Sequence, residues 1–185
     1  MSLTESTMLE LETIAPDFSL TDVVTGKTVT RDDFRGQKAL LVMFICAHCP
    51  YVKHVEQGLA KLGKDYAARP VGIVAISSNN VFTHPADSPA GLRKQAENCG
   101  FVFPYLHDET QAVAHVYKAA CTPDFFLFDS GFCLVYRGQF DSSRPGNGVP
   151  VTGQDLRAAI DLVLAGKPVP TEQRPSIGCN IKWKA

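Results

Sequence analysis

The sequence predicts an α/β protein, a mixed central sheet flanked by helices on both faces. Three observations carry that prediction. Residues 39–45 and 71–77 are continuous apolar runs of strand length, the pattern of strands buried on both faces. The stretch between them carries one apolar stripe at helical spacing, so strand, helix and strand with short joins make a parallel βαβ unit. Further on, two strand-like segments around a three-residue turn precede a last amphipathic helix, adding an antiparallel pair to the sheet.

In order, residues 16–34 form an N-terminal hairpin. Phe18 and Leu20 alternate with polar residues, Thr25-Gly26 makes the turn, and Thr28 to Thr30 return. Residues 39–77 are the βαβ unit. Its first strand ends at Cys46. Pro50 suits a helix's first turn, where its missing N–H costs nothing, and Val52, Val55, Leu59, Leu62 and Tyr66 form the stripe. Residues 79–118 are an inserted helix–strand–helix stretch. Ser88-Pro89 caps a helix that ends at Gly100, with Leu92, Ala96 and Cys99 on one face. Residues 103–106 are a short strand, and Asp108 with Gln111 forms a capping box ahead of Ala112, Val113, Val116 and Tyr117.

Residues 123–165, after Thr122-Pro123, are a ββα segment. Strands at 125–128 and 133–137 flank Asp129-Ser-Gly131. A Ser-, Pro-, Gly- and Asn-rich loop covers 141–150, and a helix over 152–165 buries Leu156, Ala159, Ile160, Val163 and Leu164. Gly166-Lys-Pro168 stops that helix. Residues 166–185 are a tail in which 175–185 show no clear periodicity. Residues 1–185 are expected to form a single domain, since domains commonly run to about 100–200 residues.

Composition narrows the function. With 45% hydrophobic and 20% charged residues the chain can bury a full core without staples, and a net charge of −1 points to neither nucleic acid nor a membrane surface. No apolar run approaches the ~20 residues that span a bilayer. The first six residues have neither a basic leader nor an apolar core, so no signal peptide is expected and the cytoplasm is the simplest compartment. Six cysteines are too few for a disulfide scaffold; in a reducing compartment a close pair is catalytic or metal-binding, and only Cys46 and Cys49 are close.

Cys46-Ala47-His48-Cys49 sits where a buried strand gives way to a helix. A helix N-terminus favours the thiolate, the reactive form, and the two-residue gap lets the sulfurs meet across the turn. Cys46, nearer the strand end, is expected to be the more exposed attacking nucleophile. Cys49, one turn inside, would resolve the mixed disulfide, and His48 when charged would favour the thiolate. Two readings compete: inert core thiols, and metal ligation by Cys46, His48, Cys49 and His54. Structural zinc usually draws on a second Cys/His pair, and Cys179 or His115 would be recruited only by the fold.

Ala15-Pro-Asp-Phe18, Phe34-Arg-Gly36-Gln-Lys38, the strand with its CxxC and Thr122-Pro123-Asp-Phe-Phe-Leu-Phe128 together resemble the thioredoxin superfamily. The resemblance is to its redoxin branch, the alkyl hydroperoxide reductase/thiol-specific-antioxidant proteins. The tail motif Gly178-Cys-Asn-Ile-Lys-Trp183 is similar to that of thioredoxin-like bacterial proteins with this architecture. The resemblance implies a thioredoxin-like fold and a cis Thr122–Pro123 bond facing the sulfurs. There are departures. Ile45 stands where thioredoxin has Trp, and Ala47-His48 partly resembles the Pro-His of DsbA. Peroxiredoxins carry Thr or Ser three residues before the peroxidatic Cys and Pro seven before; those offsets give Met43 and Ala39 for Cys46, and Cys46 and Val42 for Cys49. Glu56 is the nearest acid in the motif helix for the buried proton acceptor of thioredoxin-like proteins.

The expected function is thiol–disulfide exchange by a Cys46/Cys49 couple, supported by His48, Thr122 and Pro123, with no bound cofactor and no resident metal. Partners would be a disulfide-containing protein or small-molecule thiol or disulfide, and a redox partner protein. Alternatives are a thiol-dependent peroxidase and a copper-binding thioredoxin-like protein. Cys179 is a candidate additional redox thiol, and Cys121, beside Thr122, approaches the site. Cys99 and Cys133 are core positions; Lys53, His54 and His115 are solvated helix positions. Arg137, Asp141 and Arg144 suggest a surface ion-pair cluster or a partner-binding edge.

Overall fold

The computed structural model describes residues 3–185; residues 1 and 2, within the stretch inspected for a signal peptide, lie outside them. The strands are β1 (Leu3–Glu5), β2 (Ser19–Asp22), β3 (Thr28–Thr30), β4 (Ala39–Phe44), β5 (Val71–Ser77), β6 (Tyr105–His107), β7 (Cys121–Thr122), β8 (Asp124–Asp129), β9 (Leu134–Gly138) and β10 (Ile177–Asn180). The helices are α1 (Pro50–Tyr66), α2 (Pro89–Cys99), α3 (Ala112–Val116) and α4 (Gln154–Leu164).

β4 is the axis of the molecule. It pairs parallel with β5 and antiparallel with β8 in a seven-stranded sheet of order β3-β2-β6-β5-β4-β8-β9. Its run is continuously apolar because both faces are covered. Leu41 and Met43 pack with Val52, Leu59, Leu62 and Ile160 of the helices on one side. Leu40, Val42 and Phe44 pack with Tyr117, Phe126 and Phe128 on the other. The stripe of α1 is buried at Val52, Val55, Leu59, Leu62 and Tyr66. α2 runs from an N-cap at Ser88, whose side chain accepts from Gly91 N, to Gly100 in the left-handed conformation (φ 71°). No helix among the described residues is long and apolar enough to cross a membrane.

Several local expectations differ. β6 starts at Tyr105, because Phe103 turns its ring against Gly63 of α1, where a Cβ would stand 2.8 Å from it. Asp108 and Gln111 form no capping box. Asp108 is buried and accepts from Ser78 Oγ and Ala114 N, while Gln111 (φ 66°) donates to the carbonyls of Ser78 and Lys182. Arg137, Asp141 and Arg144 form no ion-pair cluster. Asp141 is buried and accepts from the Thr152 and Gly153 amides ahead of α4, and Arg144 donates to the carbonyls of Asp141 and Ser143.

The tail is the largest difference. Residues 177–180 form β10, flanked by β1 and by β7 in a separate three-stranded sheet, with Cys179 opposite both Leu3 and Thr122. Gly178 permits the approach: a Cβ there would lie 2.0 Å from the Thr122 carbonyl oxygen. The pairing joins segments more than 50 residues apart, so no local period announces it.

Candidate active site

The end of β4, the start of α1, β7 and β10 converge on four residues: Cys46, Cys49, Thr122 and Cys179. β4 ends at Phe44, and the chain turns through Cys46, Ala47 and His48 before Cys49 takes the N-cap position of α1, with Pro50 in the first turn. The helix therefore starts at the second cysteine. Both motif sulfurs are out of solvent, each residue 0% exposed, so the expected exposure of Cys46 is not found; the half-exposed residues are Ala47 and His48 between them.

Thr122 touches both cysteines. Its hydroxyl lies 3.3 Å from Cys46 Sγ, and its carbonyl oxygen 3.4 Å from Cys49 Sγ. The Thr122–Pro123 bond is cis. Cys179 Sγ lies 2.7 Å from Cys49 Sγ, because β10 places Cys179 directly opposite Thr122.

The surroundings of the two motif thiols differ in sign. Cys49 accepts first from the Cys46 thiol, then from the Cys179 thiol and the backbone amides of Val52 and Cys179; against burial, these hold it down at about 5. Cys46 is pushed well above the ordinary thiol value, first by burial, then by its bond to Cys49 and the negative Asp87. Burial also pushes Cys179 up, to about 12. The charge of the reduced pair rests on Cys49, reversing the expectation that Cys46 carries the depressed pKa. The reason is geometric: the helix N-terminus belongs to Cys49, and the free amides of the turn do not point at Cys46.

Those amides go to Asp87, which the sequence did not single out. Ala47 N and His48 N donate to its Oδ1 at 2.8 and 3.0 Å, while His48 Nδ1 lies 2.5 Å and Asn79 Nδ2 2.8 Å from its Oδ2. Asp87 is 0% exposed. Burial raises its pKa, but the bonds to His48 and Asn79 outweigh it and the net shift is downward. Asn79 Oδ1 in turn accepts from Lys182 N, so the motif turn and the tail share one hydrogen-bonded chain. His48 Nε2 is buried without a hydrogen-bond partner, and the ring packs on His84 at 4.5 Å between centroids. The only hint of Asp87 in the sequence is that it lies just before the Ser88 cap of α2.

Glu56 stands one residue removed. Gln95 Nε2 bridges its carboxylate to the Cys46 carbonyl, and Asp87 is the buried acid at the motif turn. Cys121 is buried, with its Sγ 3.7 Å from the Pro123 carbonyl oxygen, and burial pushes its thiol up beyond reach. Cys99 lies on the buried face of α2; Cys133 pairs with Ile14. His54 meets Ser143 Oγ at 2.7 Å and His115 stacks on Trp183.

One set of three potential metal ligands, Cys46, His48 and Asp87, has its donor atoms within 4.8 Å of one another. Both carboxylate oxygens and His48 Nδ1 are already engaged in the bonds above, so a cation there would have to displace them.

Two solved structures match the chain over nearly its whole length. One is a conserved protein from Geobacillus kaustophilus, 53% identical with a TM-score of 0.97, covering 100% of this chain and 97% of that one. The other is a hypothetical protein from Sinorhizobium meliloti 1021, 50% identical, TM-score 0.96, covering 98% and 99%. The thioredoxin domain of a thiol-disulfide oxidoreductase from Bacteroides vulgatus, at 21% identity and TM-score 0.60 over 71% of this chain and 89% of that one, shares the thioredoxin-like fold. The thiol-disulfide oxidoreductase ResA of Geobacillus kaustophilus (strain HTA426) is 28% identical over 126 residues, 68% of this chain and 67% of its own length. The AhpC/TSA family model matches residues 11–137, which include the motif, its flanking strands, Asp87 and Thr122, and the chain belongs to that family.

Proposed function

We propose that the protein is a thiol–disulfide oxidoreductase that cycles Cys46 and Cys49 between dithiol and disulfide. The observation that carries this reading is the pair of thiols bonded to each other where β4 gives way to α1, with Cys49 at the helix cap, because exchange needs a thiolate and a second thiol within reach. It fits the family, and the ResA relative is named as a thiol-disulfide oxidoreductase.

The pair holds one proton, and the charge rests on Cys49. Transfer of that proton from Cys46 to Cys49, whose thiol then faces the Thr122 carbonyl, delivers the thiolate to Cys46 beside the half-exposed Ala47–His48 turn. Cys46 attacks a substrate disulfide; one sulfur bonds to Cys46 and the other leaves as a thiolate. Cys49 then loses its proton, attacks Cys46 Sγ and expels the second substrate thiolate, leaving the Cys46–Cys49 disulfide. A redox partner protein restores the dithiol by the reverse exchange. His48, hydrogen-bonded to Asp87, is placed to hold the proton in transit.

A second reading, thiol-dependent peroxidase, is favoured by one observation. The hydroxyl missing at Met43 is supplied by Thr122, 3.3 Å from Cys46 Sγ. Parallel assays of reduction of a glutathione mixed disulfide and thiol-dependent consumption of hydrogen peroxide separate the two. Disulfide exchange faster than peroxide turnover is expected; fast peroxide turnover with negligible exchange would establish the peroxidase instead.

A further inference from the structure

Cys179 is a buried thiol that neither half of that cycle uses, and it is held against one of the two reacting sulfurs. Its Sγ lies 2.7 Å from Cys49 Sγ, and the residue itself is 1% exposed. Its position is built rather than incidental. β10 is hydrogen-bonded on both sides, to β1 and β7; Gly178 lets it approach where a Cβ would strike the Thr122 carbonyl; and Lys182 N, three residues on, is tied to Asn79. Thiols of Cys99, Cys121 and Cys133 have no such contact with the motif sulfurs.

We propose that Cys179 is the third thiol of an internal relay, in which the disulfide passes from Cys46–Cys49 to Cys49–Cys179. The proposal rests on the Cys46/Cys49 couple argued above. In the step, the Cys179 thiolate attacks Cys49 Sγ. The Cys179–Cys49 bond forms, the Cys46–Cys49 bond breaks, and Cys46 leaves as a thiolate that takes the proton Cys179 gave up. No electrons enter or leave, so no oxidant beyond the disulfide already made is required. The direction of attack follows from geometry: the sulfur Cys179 touches is that of Cys49, so the sulfur expelled is Cys46.

The consequences are specific. The relayed state regenerates the Cys46 thiol while the protein stays oxidised, and it ties the C-terminal strand covalently to the start of α1. The high proton affinity of Cys179 makes the relay base-dependent: burial pushes its thiol to about 12, so the transfer quickens as the solution becomes more alkaline.

The test uses the full chain, reduced and then given one equivalent of oxidised glutathione, quenched by acid at successive times and mapped for disulfide-linked peptides. In the wild type, the Cys46–Cys49 link should appear first and the Cys49–Cys179 link should grow at its expense, with Cys46 regaining reactivity toward a thiol reagent. In Cys46→Ser, and again in Cys46→Ala, Cys49 and Cys179 should close one intramolecular disulfide, removing two thiols per chain. A wild type that stays Cys46–Cys49 throughout, with both Cys46 variants keeping Cys49 and Cys179 as thiols or joining chains through them, overturns the relay and leaves the couple standing. A wild type that forms Cys49–Cys179 and at no time Cys46–Cys49 overturns the couple, and with it the relay as a transfer.

Discussion

Cys46 and Cys49 are separated by two residues, lie equally far from solvent, and sit in opposite electrostatic settings. Cys46 lies two residues past the end of β4. The polar groups near it are a hydroxyl and a carboxylate, and the two amides that follow are spent on that carboxylate. Cys49 opens a 17-residue helix and gathers donors: two thiols and two backbone N–H groups. Burial alone would raise both pKa values. The difference shows that spacing brings two thiols together, whereas the donors around each sulfur decide which one carries charge. In this chain Asp87, contributed by a segment 40 residues downstream, adds to burial and to the Cys46–Cys49 bond in holding Cys46 neutral, and it takes the amides of the turn.

The largest expected effect comes from removing one sulfur at a time. Cys46→Ser and Cys49→Ser should both abolish turnover in disulfide reduction, but unequally in what accumulates. Cys49→Ser should stall with substrate bound to Cys46, since the resolving thiol is gone; Cys46→Ser should collect no such adduct at position 46. Mass spectrometry of the stalled protein reads the distinction, and an adduct on Cys49 of Cys46→Ser at the wild-type rate would exchange the two roles.

Asp87→Asn attacks the contrast from the other side. It removes the negative charge beside Cys46 and one acceptor from a buried set of four bonds, so Cys46 should titrate lower than in the wild type. Leaving buried donors unsatisfied should cost roughly 1–3 kcal/mol of stability, measured by denaturant unfolding of the reduced protein. An unchanged Cys46 titration would remove Asp87 from the argument.

The pH dependence of stability gives a smaller signal. The folded Cys49 thiol titrates at about 5, below its ordinary 9.0. A depressed acid stabilises the fold fully above the unfolded value and loses that contribution as pH falls through the folded one. The stability of reduced wild type minus that of Cys49→Ser should therefore decline between pH 9 and pH 5. Asp124, which burial pushes up to about 7, contributes the opposite slope, losing stability as pH rises through that value. It is present in both proteins and drops out of the difference. A flat difference would place the charge elsewhere.

How far this was legible in the sequence follows from the range of each interaction. The apolar runs of β4 and β5 and the stripe of α1 are local periodicities, and the structure has them where the pattern lies. Cys46, Cys49 and Thr122 were visible as motifs, and Thr122 lies against both sulfurs, ahead of a cis bond to Pro123. Cys179 was visible as a candidate redox thiol in a tail motif, but its place against Cys49 was not, because the strand that positions it is four residues long and stabilised from both sides by remote partners. Asp87 was marked only by its place just before the Ser88 cap, because it sits in a short turn before α2 and acquires its role only when α2 docks near the motif. Pro50 falls in the first turn as its sequence position suggests, but Cys49 stands at the cap and not one turn inside the helix. Proline at position 50 marks the first turn, which makes Cys49, and not Cys46, the cap.

The smallest expected effect concerns the one group that touches both cysteines. Thr122→Val removes the hydroxyl beside Cys46 but keeps the branched shape suited to β7 and the carbonyl that faces Cys49. In disulfide exchange the hydroxyl is the smallest of the influences on Cys46 and works against the others by lowering its pKa, and burial dominates. A neutral hydrogen bond contributes about 1 kcal/mol, so exchange should slow only several-fold and the Cys46 titration should move slightly upward. Peroxide cleavage makes a heavier demand on the same hydroxyl, because the breaking O–O bond must be polarised by a placed donor, and losing such a donor costs about a hundred-fold or more. Measured on one preparation, Thr122→Val should therefore lower exchange modestly and leave any peroxide turnover far more depressed. If the two activities fall by the same small factor, the hydroxyl serves only the cysteine and the peroxidase reading loses its one structural support. If exchange itself collapses a hundred-fold while the fold is intact, Thr122 carries the proton between the sulfurs and the contrast between Cys46 and Cys49 is set by this strand rather than by Asp87.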